Sequence, residues 1–176
     1  MHARPVAGFS LIEVLVAVLV LAIGVLGTAA AQLAALQTRQ DTSLMSSGVD
    51  VAASLAERMR GNRQQVAAYL QYDYDALSGA PAGQGAACHG TAQCDSAQMA
   101  ALDLAETSAA VHAGFPGGRI KVCRDATHGA TLSWTCGGGA NAPVVVKLGW
   151  RSKSDQADAE STFIPSLAIV AFGALP

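Results

Sequence analysis

The sequence has few charged residues and few aromatic ones. Only 14% of its 176 residues are Asp, Glu, Lys or Arg and 5% are aromatic, whereas 51% belong to the hydrophobic set. The formal net charge is -2, so the chain lacks the broad positive surface that neutralises many phosphates, and we expect no nucleic-acid partner. At this length the chain can supply one membrane span and one folded domain, but no second full domain.

Catalytic and metal-binding motifs are also missing. The sequence contains no Gly-x-Ser-x-Gly, no His-Glu-x-x-His and no phosphate-binding loop. A membrane-tethered enzyme or metal protein would have to use scattered groups, namely His89, His112, His128, Asp103 and Glu106. Ordinary surface histidines and helix carboxylates explain these positions more simply. We therefore predict a protein without enzymatic activity, cofactor or metal.

One long uncharged segment lies near the amino terminus. No residue from Val14 to Thr38 is charged, and a helix of these 25 residues would rise about 38 Å, more than the roughly 30 Å of a bilayer's hydrocarbon core. A secretory signal peptide is the alternative, but its apolar region is only about 7 to 15 residues long. The sequence therefore predicts a single tilted membrane span.

The charges that flank this segment predict its orientation. Arg4 and the initiator amine precede it, so the positive-inside rule places residues 1–8 in the cytoplasm. The span then lies in inner-membrane lipid, and the chain from about Arg39 onward lies in the periplasm.

Four cysteines follow the apolar segment. They form an even set, which is typical of disulfides in an oxidising compartment and agrees with a periplasmic domain. Three pairings are open, and local spacing favours Cys88 with Cys94 and Cys123 with Cys136. A zinc site is the alternative, but neither spacing matches a short Cys-x-x-Cys knuckle.

Glu13 is a carboxylate at the edge of the apolar segment. A charge deep in a bilayer without a partner costs about 2.5 to 3.5 kcal/mol, so its position needs a reason. One reason is the helix dipole together with nearby headgroups. A sharper one arises if the chain is cut before Phe9, because the new amino group then lies four residues from Glu13 on the same helix face. The two charges can then pair within or between subunits.

The sequence Gly8-Phe9-Ser10-Leu11-Ile12-Glu13 resembles the class III signal of type IV prepilins and type II secretion pseudopilins. The resemblance implies that a prepilin peptidase cleaves between Gly8 and Phe9 and methylates the new amino group of Phe9. It also implies that Glu13 neutralises the terminal amine of a neighbouring subunit as the chain leaves the membrane for a filament.

The remaining sequence predicts an α+β domain. Leu44, Val51, Leu55 and Met59 recur at helical spacing, so the helix continues beyond the membrane, up to a stop signal at Gly61-Asn62. Asp95-Ser96-Ala97-Gln98 has the form of a capping box for a second helix, from about Ser96 to His112. Strands are predicted at residues 119–123, 131–136, 144–150 and 167–172.

These elements predict a long helix packed on a small, mostly antiparallel sheet, which is the type IV pilin fold of the resembling family. We divide the chain into a leader peptide at residues 1–8, a transmembrane and filament-core helix at 9–38, its amphipathic continuation at 39–62 and a periplasmic globular domain at 63–176.

Two further interpretations concern charged residues of the domain. Tyr72-Asp73-Tyr74-Asp75 has no EF-hand spacing and is interpreted as a solvated loop rather than a calcium site. A set of cationic residues is interpreted as solvated strand charges, with a DNA-uptake pilin as the alternative: Arg119, Lys121, Arg124, Lys147, Arg151 and Lys153.

The domain also resembles minor pilins of the PilV class. The resemblance rests on residues 58–63, the region of Cys88, residues 103–105, Phe115-Pro116-Gly117-Gly118 and the strand that ends at Trp150. Glu106-Thr107 stands where an aromatic residue is expected.

This resemblance implies a minor pilin of a type IV pilus that primes assembly or sits at the tip, in twitching motility or adhesion. Its expected partners are other major and minor pilins, the prepilin peptidase and a tip adhesin. The alternative is a minor pseudopilin of a type II secretion system, similar to the GspI class.

Overall fold

The structure is a computed structural model that describes residues 8, 10–81, 88, 93–151 and 163–173. The chain divides into two compact units, Met1–Ser43 and Leu44–Pro176. One helix, α1, runs from Leu11 to Gly61 and contributes to both units. The second unit also contains a four-stranded antiparallel sheet, so the predicted α+β class is confirmed.

α1 is built from good helix formers, and its terminal charges complement the helix dipole, with Glu13 in the first turn and two arginines in the last. In the second unit it buries one stripe, formed by Gly48, Ala52, Leu55, Ala56 and Met59. Intervals of three and four residues recur in this set, as on a single helix face. Of the predicted stripe, Leu55 and Met59 are buried, whereas Leu44 and Val51 are half-buried against the core. The predicted stop is also confirmed, because α1 ends at Gly61.

Short elements follow α1. A 3-10 turn spans Arg63–Gln65, the helix α2 spans Val66–Tyr69 and the strand β1 spans Asp73–Asp75. A second 3-10 turn spans Ala76–Ser78, and the helix α3 spans Ser96–Gly114.

The predicted capping box begins α3. The Asp95 carboxylate accepts a hydrogen bond from the Gln98 backbone N–H at 2.8 Å, and the Gln98 side-chain oxygen accepts one from the Asp95 N–H at 2.9 Å. Two otherwise unpaired donors of the first turn are satisfied in this way. The helix continues to Gly114, two residues beyond its predicted end at His112.

The sheet has the order β1-β2-β3-β4, with β2 at Arg119–Arg124, β3 at Val144–Gly149 and β4 at Leu167–Phe172. These three strands confirm the predictions at 119–123, 144–150 and 167–172. The strand predicted at 131–136 is wrong, because these residues form an irregular loop. Two of its carbonyls, those of Ser133 and Thr135, accept hydrogen bonds from a lysine of β3 instead of joining a strand ladder.

The interpretation of residues 72–75 as a solvated loop is also wrong. Asp73–Asp75 is strand β1, which pairs with β2 and places Asp73 opposite Lys121. Asp73 forms ion pairs with Arg119 at 2.8 Å and with Lys121 at 3.1 Å. Asp73 is therefore held by cross-strand pairing, which contributes to the stability of a sheet edge.

The core lies between the helices and one face of the sheet. It contains Leu55 and Met59 of α1, Val111 of α3 and, from the sheet, Ile120, Val122, Val146 and Leu148. Helix and sheet approach closely at Gly48. A Cβ atom at this position would lie 3.0 Å from the ring of Trp150 and 3.1 Å from Leu167, so the contact depends on the missing side chain.

Candidate functional site

The first unit presents an apolar helical surface. Every Leu, Ile and Val side chain from Leu11 to Leu36 is more than half exposed, from 52% for Val14 to 78% for Leu11. The most apolar stretch of α1 has a mean hydropathy of 2.7, and the helix is long enough to cross a membrane. A continuous apolar surface of this size is stable only when lipid or other protein covers it.

Glu13 is the only charged residue of α1 before Arg39. It is exposed and lies in the first helical turn, where its own backbone N–H donates to the carbonyl of Ser10 at 3.1 Å. Gly8 is also exposed, whereas Phe9 lies outside the described residues. The pairing of Glu13 with a terminal amine of Phe9 therefore stays a prediction.

In the second unit an ion-pair network connects α1 with α3. Arg58 Nη1 donates to Asp103 Oδ1 at 2.9 Å and to Glu106 Oε2 at 2.6 Å. The Tyr69 hydroxyl donates to Asp103 Oδ2 at 2.6 Å. Burial, and next the hydrogen bond to Asp103, raise the pKa of Tyr69 well above its usual range, and hydrogen bonds to the two carboxylates raise the pKa of Arg58. Asp103 and Glu106, the helix carboxylates that an enzyme would have used, thus hold two helices together.

Two family models match the chain. The prokaryotic N-terminal methylation motif matches residues 3–29, and a model described as type IV pilin Tt1218 matches residues 30–105. The chain is a type IV pilin-like prepilin. The predicted family is confirmed, and the long apolar helix with a small antiparallel sheet is consistent with the type IV pilin fold.

The two matches also carry general implications for this prepilin. The methylation motif implies processing by a prepilin peptidase, and the pilin match implies a membrane-anchored structural subunit that assembles with other pilins. A search of characterised proteins and a search of solved structures each give no match.

The second face of the prepilin's sheet holds a buried ion pair. Lys147 Nζ lies 2.6 Å from Asp125 Oδ2, and both side chains are 1% exposed. Nζ also donates to the carbonyls of Ser133 at 2.6 Å and Thr135 at 2.8 Å, so two carbonyl acceptors hold the ammonium group beside the carboxylate. Asp125 Oδ1 accepts from the backbone N–H and the hydroxyl of Thr127 at 2.8 and 2.7 Å.

The protonation of Asp125 follows from these contacts. Burial alone would raise the pKa of this carboxyl group. The hydrogen bonds from Lys147 and Thr127, together with the charge of Lys147, outweigh burial, so the pKa of Asp125 lies well below its usual range. Asp125 is therefore ionised at neutral pH, and its contact with Lys147 holds the loop between β2 and β3 onto the sheet.

The interpretation of the strand cations as solvated is wrong for Lys147 and for Arg151. The Arg151 side chain is only 6% exposed and donates to both carboxylate oxygens of Asp75, at 3.0 and 2.7 Å. Its guanidinium also lies 4.0 Å from the ring centre of Phe163. Lys153, another member of the set, lies outside the described residues.

Two disulfides close loops in the prepilin. Cys88 pairs with Cys94 and Cys123 with Cys136, with Cα–Cα distances of 5.6 and 6.1 Å, in the ordinary range for disulfides. These are the pairings that local spacing favours, and they leave no cysteine of this chain for zinc. The second disulfide joins β2 to the loop whose carbonyls bind Lys147.

Aromatic contacts hold the same loop at a second point. Trp134 Nε1 donates to the carbonyl of Phe163 at 2.7 Å, and the two rings meet edge to face with centres 5.2 Å apart. The Arg119 guanidinium lies 4.8 Å from the centre of the Trp134 ring. The loop is therefore fixed by a disulfide, an ion pair and an aromatic contact.

Two of the three histidines considered as metal ligands, His112 and His128, lie in separate parts of the fold. His112 Nδ1 is 2.8 Å from the Tyr74 hydroxyl, and His128 Nδ1 is 2.8 Å from the carbonyl of Asp125. His89 lies outside the described residues. Within the described part of the chain, no group of three or more His, Cys, Asp or Glu side chains is arranged to hold a metal.

Sequence reasoning missed the pairing of Lys147 with Asp125, although a signal exists. Val144-Val145-Val146-Lys147-Leu148 is an unbroken run without polar alternation, which is typical of a strand buried on both faces. A lysine in such a strand has no access to water and requires an acceptor set. The run predicts that a partner exists, but no pattern in the sequence identifies Asp125.

Proposed function

We propose that this prepilin is a minor pilin of a type IV pilus, of the PilV class, which helps to prime filament assembly or occupies the tip. In this role it contributes to twitching motility or adhesion. The observation that carries the proposal is the exposed apolar surface of α1, with Glu13 as its only charge before Arg39. Such a helix is suited to exchange a lipid environment for the packed helices of a filament.

The turn at Phe115-Pro116-Gly117-Gly118 supports the PilV class, because it is one of the motifs of that resemblance. Gly117 has a φ of 52°, in the left-handed region that favours glycine. A Cβ at Gly118 would lie 2.9 Å from both Phe115 and Val111. Each glycine therefore has a separate steric role in the turn.

The proposal includes a processing step and a topology. Residues 1–8 form a cytoplasmic leader, and a prepilin peptidase cleaves between Gly8 and Phe9 and methylates Phe9. Residues 9–38 cross the inner membrane and later enter the filament core, residues 39–62 continue the helix, and residues 63–176 form the periplasmic domain. The paired cysteines support an oxidising compartment for this domain.

Glu13 has the central role in assembly. As the subunit leaves the bilayer, the carboxylate pairs with the terminal amine of a neighbouring Phe9, so that neither charge is buried alone among apolar helices. The exposure of Glu13 and the uncharged surface around it support this role, because no other described residue of this helix before Arg39 can supply the counter-charge.

The experiment is mass spectrometry of pili sheared from cells that express the full chain. We expect the mature protein to begin with N-methylated Phe9 and to be present in sheared pili in small amounts. Gly8→Val should block cleavage and keep the chain in the membrane, whereas Ala7→Val serves as the matched control and should be processed. An intact wild-type leader would contradict the processing step.

An experiment in the same cells distinguishes a minor pilin from the alternative, a minor pseudopilin. Deletion of the gene should reduce surface piliation and leave exoprotein secretion intact if the chain is a minor pilin. Normal piliation combined with lost exoprotein secretion would instead identify a minor pseudopilin of the GspI class.

A further inference from the structure

Two arginines of the second unit differ from its other cations. Six cationic residues have a carboxylate partner within 4.0 Å: Arg58, Arg60, Arg119, Lys121, Lys147 and Arg151. Arg63 and Arg124 have no such partner among the described residues. In a unit that pairs its other described cations, two unpaired guanidinium groups indicate that their counter-charge comes from elsewhere.

Arg63 and Arg124 line the same groove. Its volume is about 300 Å³, and its other lining residues are Val66, Val144 and Phe172. Arg124 lies opposite Val144 in the β2–β3 register, and Val144 lies opposite Phe172 in the β3–β4 register. The three strands therefore contribute one row of residues, Arg124, Val144 and Phe172, of which the last two form the apolar floor of the groove. The segment that follows α1 contributes Arg63 and Val66.

Both guanidinium groups are held at the groove without using a carboxylate. Arg63 lies 5.8 Å from the ring centre of Phe172, and Arg124 Nη1 donates to the carbonyl of Ala142 at 2.9 Å. Each guanidinium has five N–H donors, so these contacts leave further donors for a ligand. The groove therefore combines an apolar floor with two oriented, unpaired cations.

We propose that this groove binds an acidic segment of a different pilin subunit, with a carboxylate paired to Arg63 and Arg124 and an apolar side chain against the floor. Arginine binds carboxylates through two parallel hydrogen bonds, which suits it to this task. The volume is at the lower end of the range for ligand sites and fits one or two side chains of a peptide segment. The proposal rests on the proposed function, because a minor pilin that is present in small amounts has other pilins as its neighbours in the filament.

Photo-cross-linking in intact cells tests the contact. A benzoylphenylalanine replaces Gly173, which follows Phe172 and where a Cβ atom meets no other atom within 4 Å. Gly114 is the matched control, because it has the same open surroundings but does not line the groove. After irradiation and shearing, we expect position 173 to cross-link to an Asp- or Glu-containing peptide of another pilin, and position 114 not to cross-link to that peptide.

Charge variants then test the arginines. Arg63→Glu with Arg124→Glu should lower the yield of this cross-link at least tenfold, because the carboxylate would meet two like charges. Arg63→Lys with Arg124→Lys should keep the yield within about threefold, since the charges remain and only the bidentate geometry is lost. Unchanged tryptophan fluorescence shows that each variant is folded.

The outcomes distinguish this proposal from the one on which it rests. If the chain is found in sheared pili but position 173 cross-links only to its own chain or to another copy of it, the groove proposal is wrong and the minor-pilin function stands. A cross-link that survives the double charge reversal also overturns the groove proposal. Absence of the wild-type chain from pili would refute the proposed function itself.

Discussion

The two units of this prepilin use apolar and charged side chains in opposite ways. In residues 11–43 the apolar side chains face outward, and the carboxylate of Glu13 is exposed. In the second unit the apolar side chains form a core, and even Lys147 and Asp125 are buried as a pair. The apolar surface of the first unit needs lipid or neighbouring subunits, whereas the second unit supplies the partners of its own core and buried charges. Substitutions at Glu13 should therefore affect assembly, and substitutions of buried residues in the second unit should affect folding.

The tryptophans make this contrast measurable. Both of them, Trp134 and Trp150, lie in the second unit. The tryptophan fluorescence of the full-length protein in detergent therefore follows the unfolding of this unit alone. Recovery of the chain in sheared pili reports on assembly.

The largest effect on folding should come from Lys147→Met. It leaves the Asp125 carboxylate buried without its counter-charge, which costs about 3 to 5 kcal/mol in the free energy of unfolding. Urea unfolding followed by tryptophan fluorescence measures the loss. Adding Asp125→Asn removes the unpaired charge and should restore much of the stability. A loss below about 1 kcal/mol for Lys147→Met alone would show that the pair is not important for folding.

Acid should weaken the same pair. The pKa of Asp125 is below its value of about 3.9 in an unfolded chain, so the folded state favours the ionised carboxylate. The contribution of the ionised Asp125 to the free energy of unfolding is complete above about pH 5 and is lost as the pH falls through 4 and below. Asp75 adds in the same direction, because hydrogen bonds from Arg151 and Leu77 outweigh its burial and lower its pKa. Urea midpoints should be steady from pH 7 to 5 and fall at lower pH, and less steeply in the Asp125→Asn variant.

In the first unit, Glu13→Gln should abolish or strongly reduce recovery in sheared pili. The neighbouring amine would then be buried without a counter-charge, at a cost of about 3 to 5 kcal/mol. Membrane insertion, leader cleavage and the urea midpoint of the second unit should not change. Asp41→Asn is the matched control, because it removes an exposed carboxylate of α1 outside the apolar surface. If the Glu13→Gln variant were present in sheared pili at the wild-type level, Glu13 would be only a helix-terminal carboxylate without a role in assembly.

The disulfides should have smaller effects that depend on loop length. In the chain-entropy account, the loop of Cys123–Cys136, with a separation of 13, is worth about 3 kcal/mol, and the loop of Cys88–Cys94, with a separation of 6, slightly more than 2 kcal/mol. Paired Cys→Ser variants, unfolded in urea, measure both. Because the longer loop also carries the carbonyls that bind Lys147, its removal should exceed the entropic value. A larger loss of stability after the substitution of Cys88 and Cys94 than after the substitution of Cys123 and Cys136 would contradict this expectation.

The smallest effect should come from Gly48→Ala, at about 1 kcal/mol in the free energy of unfolding, the low end of the range for overpacking. The added methyl would meet Trp150 and Leu167, and these side chains can move by a few tenths of an ångström. Gly61→Ala is the matched control on the same helix. Its methyl enters open space and should be neutral or slightly stabilising, because alanine favours a helix more than glycine does. Equal losses in the two variants would show that close packing at Gly48 is not the cause.

Local patterns in the sequence were sufficient for much of this structure. The uncharged run, the helical stripe with its stop at Gly61, the capping box at Asp95 and three of the strands depend on neighbouring residues, whose spacing is visible in the chain. The prepilin family could be predicted for the same reason, since its signal is a short continuous motif at Gly8 to Glu13. The roles of Gly8, Phe9 and Glu13 themselves stay predictions.

Only the tertiary structure decided which charges are buried. No sequence pattern identifies the partners of Lys147 and Arg151: a loop that crosses the second face of the sheet removes Lys147 from water, and Asp75 pairs with Arg151. Residues 131–136 alternate like a strand, but their carbonyls are taken by Lys147. Asp73–Asp75 is a strand because β2 lies beside it. In each case the deciding partner is distant in the chain, and a contact between distant residues leaves no periodic signal in the sequence.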